Sequence, residues 1–190
     1  IWKPFPKLIV NSALWYLFLE QEFVYVGDAG IIEPSGKSKR MGADLGLRYQ
    51  LNDWLYFDAD ANYTYARSID EPKGQNYIPL APDFTTTGGL SFQKVNGFSG
   101  GMRYRYLKNR PANEDNSIVA KGYFVSDLNL NYQYKKINFG VSVENIFNTE
   151  WNETQFATES RLQNELESVE EIHFTPGTPF FMKGKITYTF

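Results

Sequence analysis

The sequence predicts an all-β chain, one antiparallel meander of about eight strands, and three observations predict it. Apolar and polar residues alternate with a period of two through segment after segment, as strands require when successive side chains leave opposite faces. Most segments run about 10–14 residues, longer than the roughly five or six usual in soluble sheets. The joins alternate between short and long without exception, so short turns gather at one end and long loops at the other.

The first segment, 12–26, sets Ala13, Trp15, Leu17, Leu19, Phe23 and Tyr25 on one face, but Leu14, Tyr16 and Phe18 make the other face apolar as well. The second is the cleanest: from Arg40 to Leu51, Met41, Ala43, Leu45, Leu47, Tyr49 and Leu51 alternate with Arg40, Gly42, Asp44, Gly46, Arg48 and Gln50. In 54–67, Leu55, Phe57, Ala59, Ala61, Tyr63 and Tyr65 oppose Asp58, Asp60, Asn62 and Thr64. Segments 84–94 and 98–108 set Phe84, Leu90 and Phe92, then Phe98, Met102, Tyr104 and Tyr106, against threonine, serine, glutamine and arginine. Segment 122–134 opposes Phe124, Leu128, Leu130, Tyr132 and Tyr134 to Asp127, Asn129, Asn131 and Gln133. In 137–145, Ile137, Phe139, Val141 and Val143 alternate with Asn138, Ser142 and Glu144, and in 180–190 the run Phe180, Met182, Gly184, Ile186, Tyr188, Phe190 opposes Lys183, Lys185, Thr187 and Thr189. The short joins fall at 52–53, 95–97 and 135–136, and the long ones at about 27–37, 68–83, 109–121 and 146–179.

Composition removes several classes. A formal charge of −3 with no basic stripe gives no reason to expect a nucleic-acid partner, and the lack of cysteine rules out disulfides, thiol catalysis and thiolate metal sites. Mean hydropathy is −0.44 and no apolar run is long enough for a transmembrane helix. A transmembrane strand escapes that test, because its alternation averages out. The chain opens Ile1-Trp2-Lys3-Pro4 with no signal peptide, so the expectation is a piece of a longer protein.

Sidedness decides the class. Aromatic residues make up 17% of the chain and cluster at both ends of the segments: Tyr49, Trp54, Tyr132, Tyr134, Tyr188 and Phe190 by the short turns, Tyr63, Tyr65, Tyr104 and Tyr106 by the long loops. Two membrane interfaces favour such rings around an apolar band. The opposite face carries Arg40, Asp44, Arg48, Asp58, Asp60, Arg103, Arg105, Asp127 and Glu144, too many charges for a dry core. The expected fold is therefore a segment of an antiparallel transmembrane β-barrel. Met41, Leu45, Leu47, Leu55, Phe57, Tyr104, Leu128, Leu130, Phe139, Val141, Ile186, Tyr188 and Phe190 would face lipid, and the charged residues a wet lumen. A passive porin-like barrel and a soluble β-sheet carbohydrate-binding module are the alternatives; soluble sheets also alternate. A free sheet edge in lipid is costly, so this segment is expected to be the C-terminal part of one larger barrel domain.

The run YFVSDLNLNYQYKKINFGVSVENIFNTEWNETQF, followed by ATESRL and HFTPGTPFFMKGKITYTF, resembles the C-terminal barrel of TonB-dependent outer-membrane receptors, and looks most like those of the Bacteroidetes. YIPLAPDFTTTGGL (77–90) and RYRYLKNRPANED (103–115) add to the likeness. The resemblance implies a barrel of about 22 strands plugged by an N-terminal domain lying outside this chain. It implies a receptor in the bacterial outer membrane that captures a scarce small molecule, such as a siderophore, metal chelate, haem, cobalamin or glycan. The TonB–ExbB–ExbD complex would energise import through the plug. It also implies that the barrel-assembly machinery reads the last strand, although Gly184 stands six residues before Phe190 where the usual signal has an odd spacing.

Candidate ligand contacts are few. Arg103, Arg105 and Arg110 suit an anionic substrate, with pairing to Asp58 or Asp60 as the plainer reading. The loop 148–178 holds seven glutamates against Arg161, including Glu170 and Glu171; it suits a cationic ligand, or simply a solvated surface meeting divalent ions. Within it SRLQNELESVEE reads as a short helix, with Ser160 and Gln163 as a capping box. His173 is the single histidine and a weak metal candidate; a structural hydrogen bond is the plainer role. Trp151 suits stacking on a sugar or packing of its loop. No catalytic spacing, cofactor motif or metal set emerges, so the expectation is a protein that is not an enzyme.

Overall fold

The computed structural model describes residues 1–26, 31–34 and 36–190. Fifteen strands lie among them: β1 (Trp2–Phe5), β2 (Leu8–Leu19), β3 (Phe23–Val26), β4 (Ile31–Pro34), β5 (Ser38–Gln50), β6 (Leu55–Ser68), β7 (Phe84–Val95), β8 (Phe98–Leu107), β9 (Arg110–Pro111), β10 (Val119–Ala120), β11 (Tyr123–Tyr134), β12 (Ile137–Glu144), β13 (Asn152–Ser160), β14 (Val169–Pro176) and β15 (Phe181–Tyr188). Nine form one antiparallel sheet in the order β1-β2-β5-β6-β7-β8-β11-β12-β15. The other six pair as β3–β4, β9–β10 and β13–β14, each within a long join. The main sheet is open, with β1 and β15 as its edges.

The turns explain the meander. Asn96 and Gly97 carry φ of 51° and 85° between β7 and β8, the left-handed pair that a two-residue hairpin needs to match strand twist. Lys135, at φ 51°, begins the equally short join from β11 to β12. Between β5 and β6 the Asn52 side chain accepts from the Trp54 and Leu55 amides at 3.0 and 2.9 Å, closing a side-chain turn.

Register then aligns the faces. Tyr16, Met41 and Tyr65 lie in one cross-strand row, and Ser12, Leu45 and Ala61 in the next but one. Met102, Leu128, Val143 and Met182 form another row, and Tyr132, Phe139 and Ile186 another. All the residues expected toward lipid within the strands fall on this single face; Phe190 lies two residues beyond β15. Except at the long-loop end, where Ser126 and Val143 are buried, no other strand packs on that face among the described residues. Leu14, Leu45, Leu90, Val141 and Ile186 are all exposed, and among the described residues the buried apolar set is Ala66, Ile78, Ala112, Ala120, Val125 and Val143. A soluble sandwich would press its apolar face onto a second layer; none is present among the described residues.

Three expectations change. The main sheet has nine strands rather than eight, because Trp2–Phe5 pairs with β2 across Pro6-Lys7, a further short turn at the same end as the others. The first long strand is Leu8–Leu19 rather than 12–26. It ends where Glu22 turns inward to pair with Arg40, and residues 23–26 start the separate β3–β4 pair. Register also explains its two apolar faces. Trp15 lies opposite Gly42 on the charged face, so Leu14, Tyr16 and Phe18 join the apolar one. Gly42 is the slot for that indole, since a Cβ there would sit 2.5 Å from Trp15 Cζ2.

The third change is the expected helix at 160–171, which is absent. Ser160 ends β13, Val169 begins β14, and the two strands pair from Asn152↔Pro176 to Ser160↔Val169. The chain reverses between them, with the Glu165 carboxylate accepting from the Leu162 amide at 2.7 Å. A helix that short needs an apolar partner surface. Leu162 and Leu166 find none and stand exposed, while the Thr, Phe, Ile and Val of the flanks suit strands.

Candidate functional site

The polar face is a lattice of charges built by the same register. Arg48 Nη2 reaches Asp60 Oδ2 at 2.8 Å, and Arg105 Nη2 reaches Asp127 Oδ2 at 3.5 Å. Arg103 Nη1 meets Asp58 Oδ1 at 2.5 Å although β7 runs between their strands. Asp58, Gly89 and Arg103 share one row, and Gly89 has no side chain to obstruct the span. Lys183 Nζ and Glu144 Oε1 close the far side at 3.2 Å. Ser142 Oγ donates to Asn129 Oδ1 at 2.5 Å and Asn138 Nδ2 to Gln133 Oε1 at 3.1 Å, so neutral rows are knitted too.

At the long-loop end the β13–β14 hairpin is anchored over this face. Asn145, fully buried, organises its base. Its Nδ2 donates to the carbonyls of Thr149 (2.8 Å) and Thr178 (3.0 Å), its Oδ1 accepts from the Thr149 amide (2.9 Å), and its own amide donates to Asp127 Oδ1 (2.9 Å). Trp151 Nε1 donates to Thr178 O at 3.0 Å. Its ring lies 4.8 Å from that of Tyr123, with the Arg105 guanidinium 5.4 Å away, and Gly177 lies against its indole edge. Gln155, also buried, clamps the backbone of Lys121 through both side-chain atoms at 2.9 and 2.7 Å. Beneath the hairpin lies a hollow of about 390 Å³ lined by Arg105, Asp127, Glu144, Trp151, Glu153 and Lys183.

The candidate residues therefore part company. Arg103 and Arg105 are engaged with Asp58 and Asp127, and Arg105 and Trp151 share the hollow. Trp151 packs its loop, with contacts to Tyr123, Thr178 and Gly177. Arg110 lies in the β9–β10 pair, nine-tenths buried, with Nη1 lacking a hydrogen-bond partner. Burial lowers its pKa from the ordinary arginine value, and Tyr123 partly opposes this. His173 is half exposed on β14, with Nε2 3.2 Å from Ser160 Oγ and 3.7 Å from Glu171 Oε1.

Glu170 belongs elsewhere. It borders an upper hollow of about 750 Å³, together with Asp70, Glu71, Glu114 and Asp115 from two other joins. The Asp115 carboxylate accepts from Ser117, which holds its pKa below the ordinary aspartate value. Among the described residues no three His, Asp or Glu side chains stand close enough to hold a metal ion. Sequence reading missed the convergence of these acids, which come from segments far apart in the chain. It also missed Asn145 and Gln155, although both lie inside the run that carried the family resemblance.

A wall of long antiparallel strands, charged on one face, apolar and uncovered on the other, with turns and loops segregated, defines a piece of a membrane barrel. The chain belongs to the TonB dependent receptor-like, beta-barrel family, whose model matches residues 2–146; these are outer-membrane proteins of Gram-negative bacteria. The match carries the family and not a Bacteroidetes source. No curated protein matches the chain. Among solved structures it is similar to the closed form of Fiu, the ferric-catecholate import receptor from K12 E. coli, at 19% identity and a TM-score of 0.67, over 96% of this chain and 25% of that one. It is similar to the siderophore receptor PiuA from Acinetobacter baumannii at 14% identity and a TM-score of 0.69, over 96% and 26%. For the copper transporter OprC the figures are 18% and 0.68, over 97% and 30%. At these identities the likeness is one of fold, and the chain spans about a quarter to three-tenths of the solved structures it matches.

Proposed function

We propose that this chain is part of the barrel wall of an outer-membrane receptor that imports a scarce nutrient in a TonB-energised step. The observation that carries the reading is sidedness. One face of a nine-stranded sheet is apolar and uncovered, and the other holds Arg–Asp and Lys–Glu pairs. In this reading hydrocarbon covers the first, whose apolar side chains stand largely exposed among the described residues. The second faces a hydrated lumen, where paired charges keep their solvation. The aromatic rows at both strand ends sit at the two interfaces.

In this reading the plug and the earlier strands lie outside the chain, and the plug carries the contact with TonB–ExbB–ExbD. The barrel-assembly machinery engages β15. The anchored β13–β14 hairpin and the upper hollow face the outside, where cargo is met. The similar structures named for ferric-catecholate, siderophore and copper transport favour a metal or its chelate as cargo. The receptor binds and passes its cargo on; no chemical step is assigned to it.

The experiment uses the full-length receptor in its own cell. Deleting it should abolish growth on one scarce metal chelate, and uptake of labelled chelate should stop when TonB is removed. Uptake that persists without TonB identifies a passive porin instead. A chain recovered in the soluble fraction without detergent would return the carbohydrate-binding module.

A further inference from the structure

The apolar face carries two cations at its long-loop rim. Phe18, Lys39 and Arg67 lie in one cross-strand row on that face, one row beyond the ring formed by Met41 and Tyr65. Arg67 also bridges Tyr77. Its guanidinium carbon stands 4.6 Å from the Tyr65 ring centre and 4.1 Å from that of Tyr77, and Nη1 donates to Ala66 O at 2.6 Å. Two rings and a carbonyl thus fix its orientation, and among the described residues the rest of its N–H fork meets no acceptor.

Among the described residues neither Lys39 nor Arg67 makes an ion pair, whereas every arginine of the strands on the polar face does. Directly opposed like charges destabilise a sheet, so this row costs stability unless an anion bridges it. Lys108, just past β8 on the same rim, shows the alternative: it meets Asp83 at 3.8 Å.

We propose that Lys39 and Arg67 form a seat for a phosphate group of an outer-leaflet lipid, the acyl chains lying along the apolar face below it. Three features select this occupant. The pair sits just outside the aromatic row, the depth at which headgroups begin. A planar fork held by stacking suits two phosphate oxygens, and the ammonium supplies a second charge. The surface immediately inward, Tyr16, Met41 and Tyr65, is apolar and exposed.

The inference rests on the sidedness proposed above. Its test is a comparison of variants within the inserted full-length receptor, so the two can fail separately. The receptor is purified, exchanged into lipid-free detergent and titrated with phosphorylated lipid A, enzymatically dephosphorylated lipid A and inorganic phosphate, with binding read by native mass spectrometry and thermal shift. Phosphorylated lipid A should bind and raise Tm. Lys39→Gln and Arg67→Gln should each weaken it about 5-fold, and the double variant about 30-fold. Lys108→Gln should bind as wild type. Unchanged binding by the double variant overturns the proposal, as does equal binding of dephosphorylated lipid A or of free phosphate. A receptor that inserts equally well with Leu45→Arg refutes the sidedness instead.

Discussion

Leu45→Arg is the sharpest probe of the wall. Leu45 lies near the middle of the 13-residue β5, between Ser12 on β2 and Ala61 on β6, and is 49% exposed. Its row offers no carboxylate, and Asp44 and Asp60 lie on the opposite face. A guanidinium there has no partner, and at this depth the polar interface is out of easy reach. The expected cost at mid-bilayer is about 2–4 kcal/mol, or about 30- to 700-fold in the folded-to-unfolded ratio. Asp44→Asn, one residue away, should change stability by less than about 0.5 kcal/mol, because an amide can keep the hydrogen bond with Asn62. The assay is reversible urea unfolding of the full-length receptor in phospholipid vesicles, followed by tryptophan fluorescence, with heat-modifiable migration as a check on insertion. Equal tolerance at both positions, or a larger loss at Asp44, would refute the assignment of faces.

The remaining predictions concern packing and loops. Gly42→Val should displace the Trp15 indole and lower stability by about 2 kcal/mol, visible as a red-shifted Trp15 emission in a variant retaining only that tryptophan. Asn145→Ala removes three side-chain hydrogen bonds from a buried site and should cost about 3 kcal/mol. Asn145→Gly should lose as many bonds while keeping the φ of 49° free of strain; in both, hydrogen exchange should quicken over 146–179. The Asp115 turn should depend on pH in one direction. Its folded pKa is lowered, so its contribution is complete above the ordinary value of 3.8 and is lost as pH falls below that through the folded value. Hydrogen exchange at Ser117, corrected for its intrinsic pH dependence, should therefore stay slow to about pH 4 and quicken only in stronger acid, and Asp115→Asn should remove that transition.

Much of the wall was legible in the sequence because its information is local. Alternation from Met41 to Leu51 assigns faces without any knowledge of the neighbours, and Asn96-Gly97 announces its own turn. The helix expected at 160–171 misled for the converse reason. Its periodicity was real, but a few apolar residues hold no helix without a surface to receive them, and pairing of 152–160 with 169–176 won. Trp15 could not be assigned a face from its own segment, since both sides of 13–19 are apolar; only the row it shares with Gly42 decides.

The strand period, the segregation of short turns from long loops, the two opposed faces and the family can all be read along the chain. Each of these is written in residues close together along the chain. The ninth strand, the Arg103–Asp58 span across Gly89, the hairpin held by Asn145 and Gln155, and the meeting of Lys39 with Arg67 emerge only in the folded sheet. Those depend on register between distant segments, and a shift of one residue would have turned every side chain to the other face.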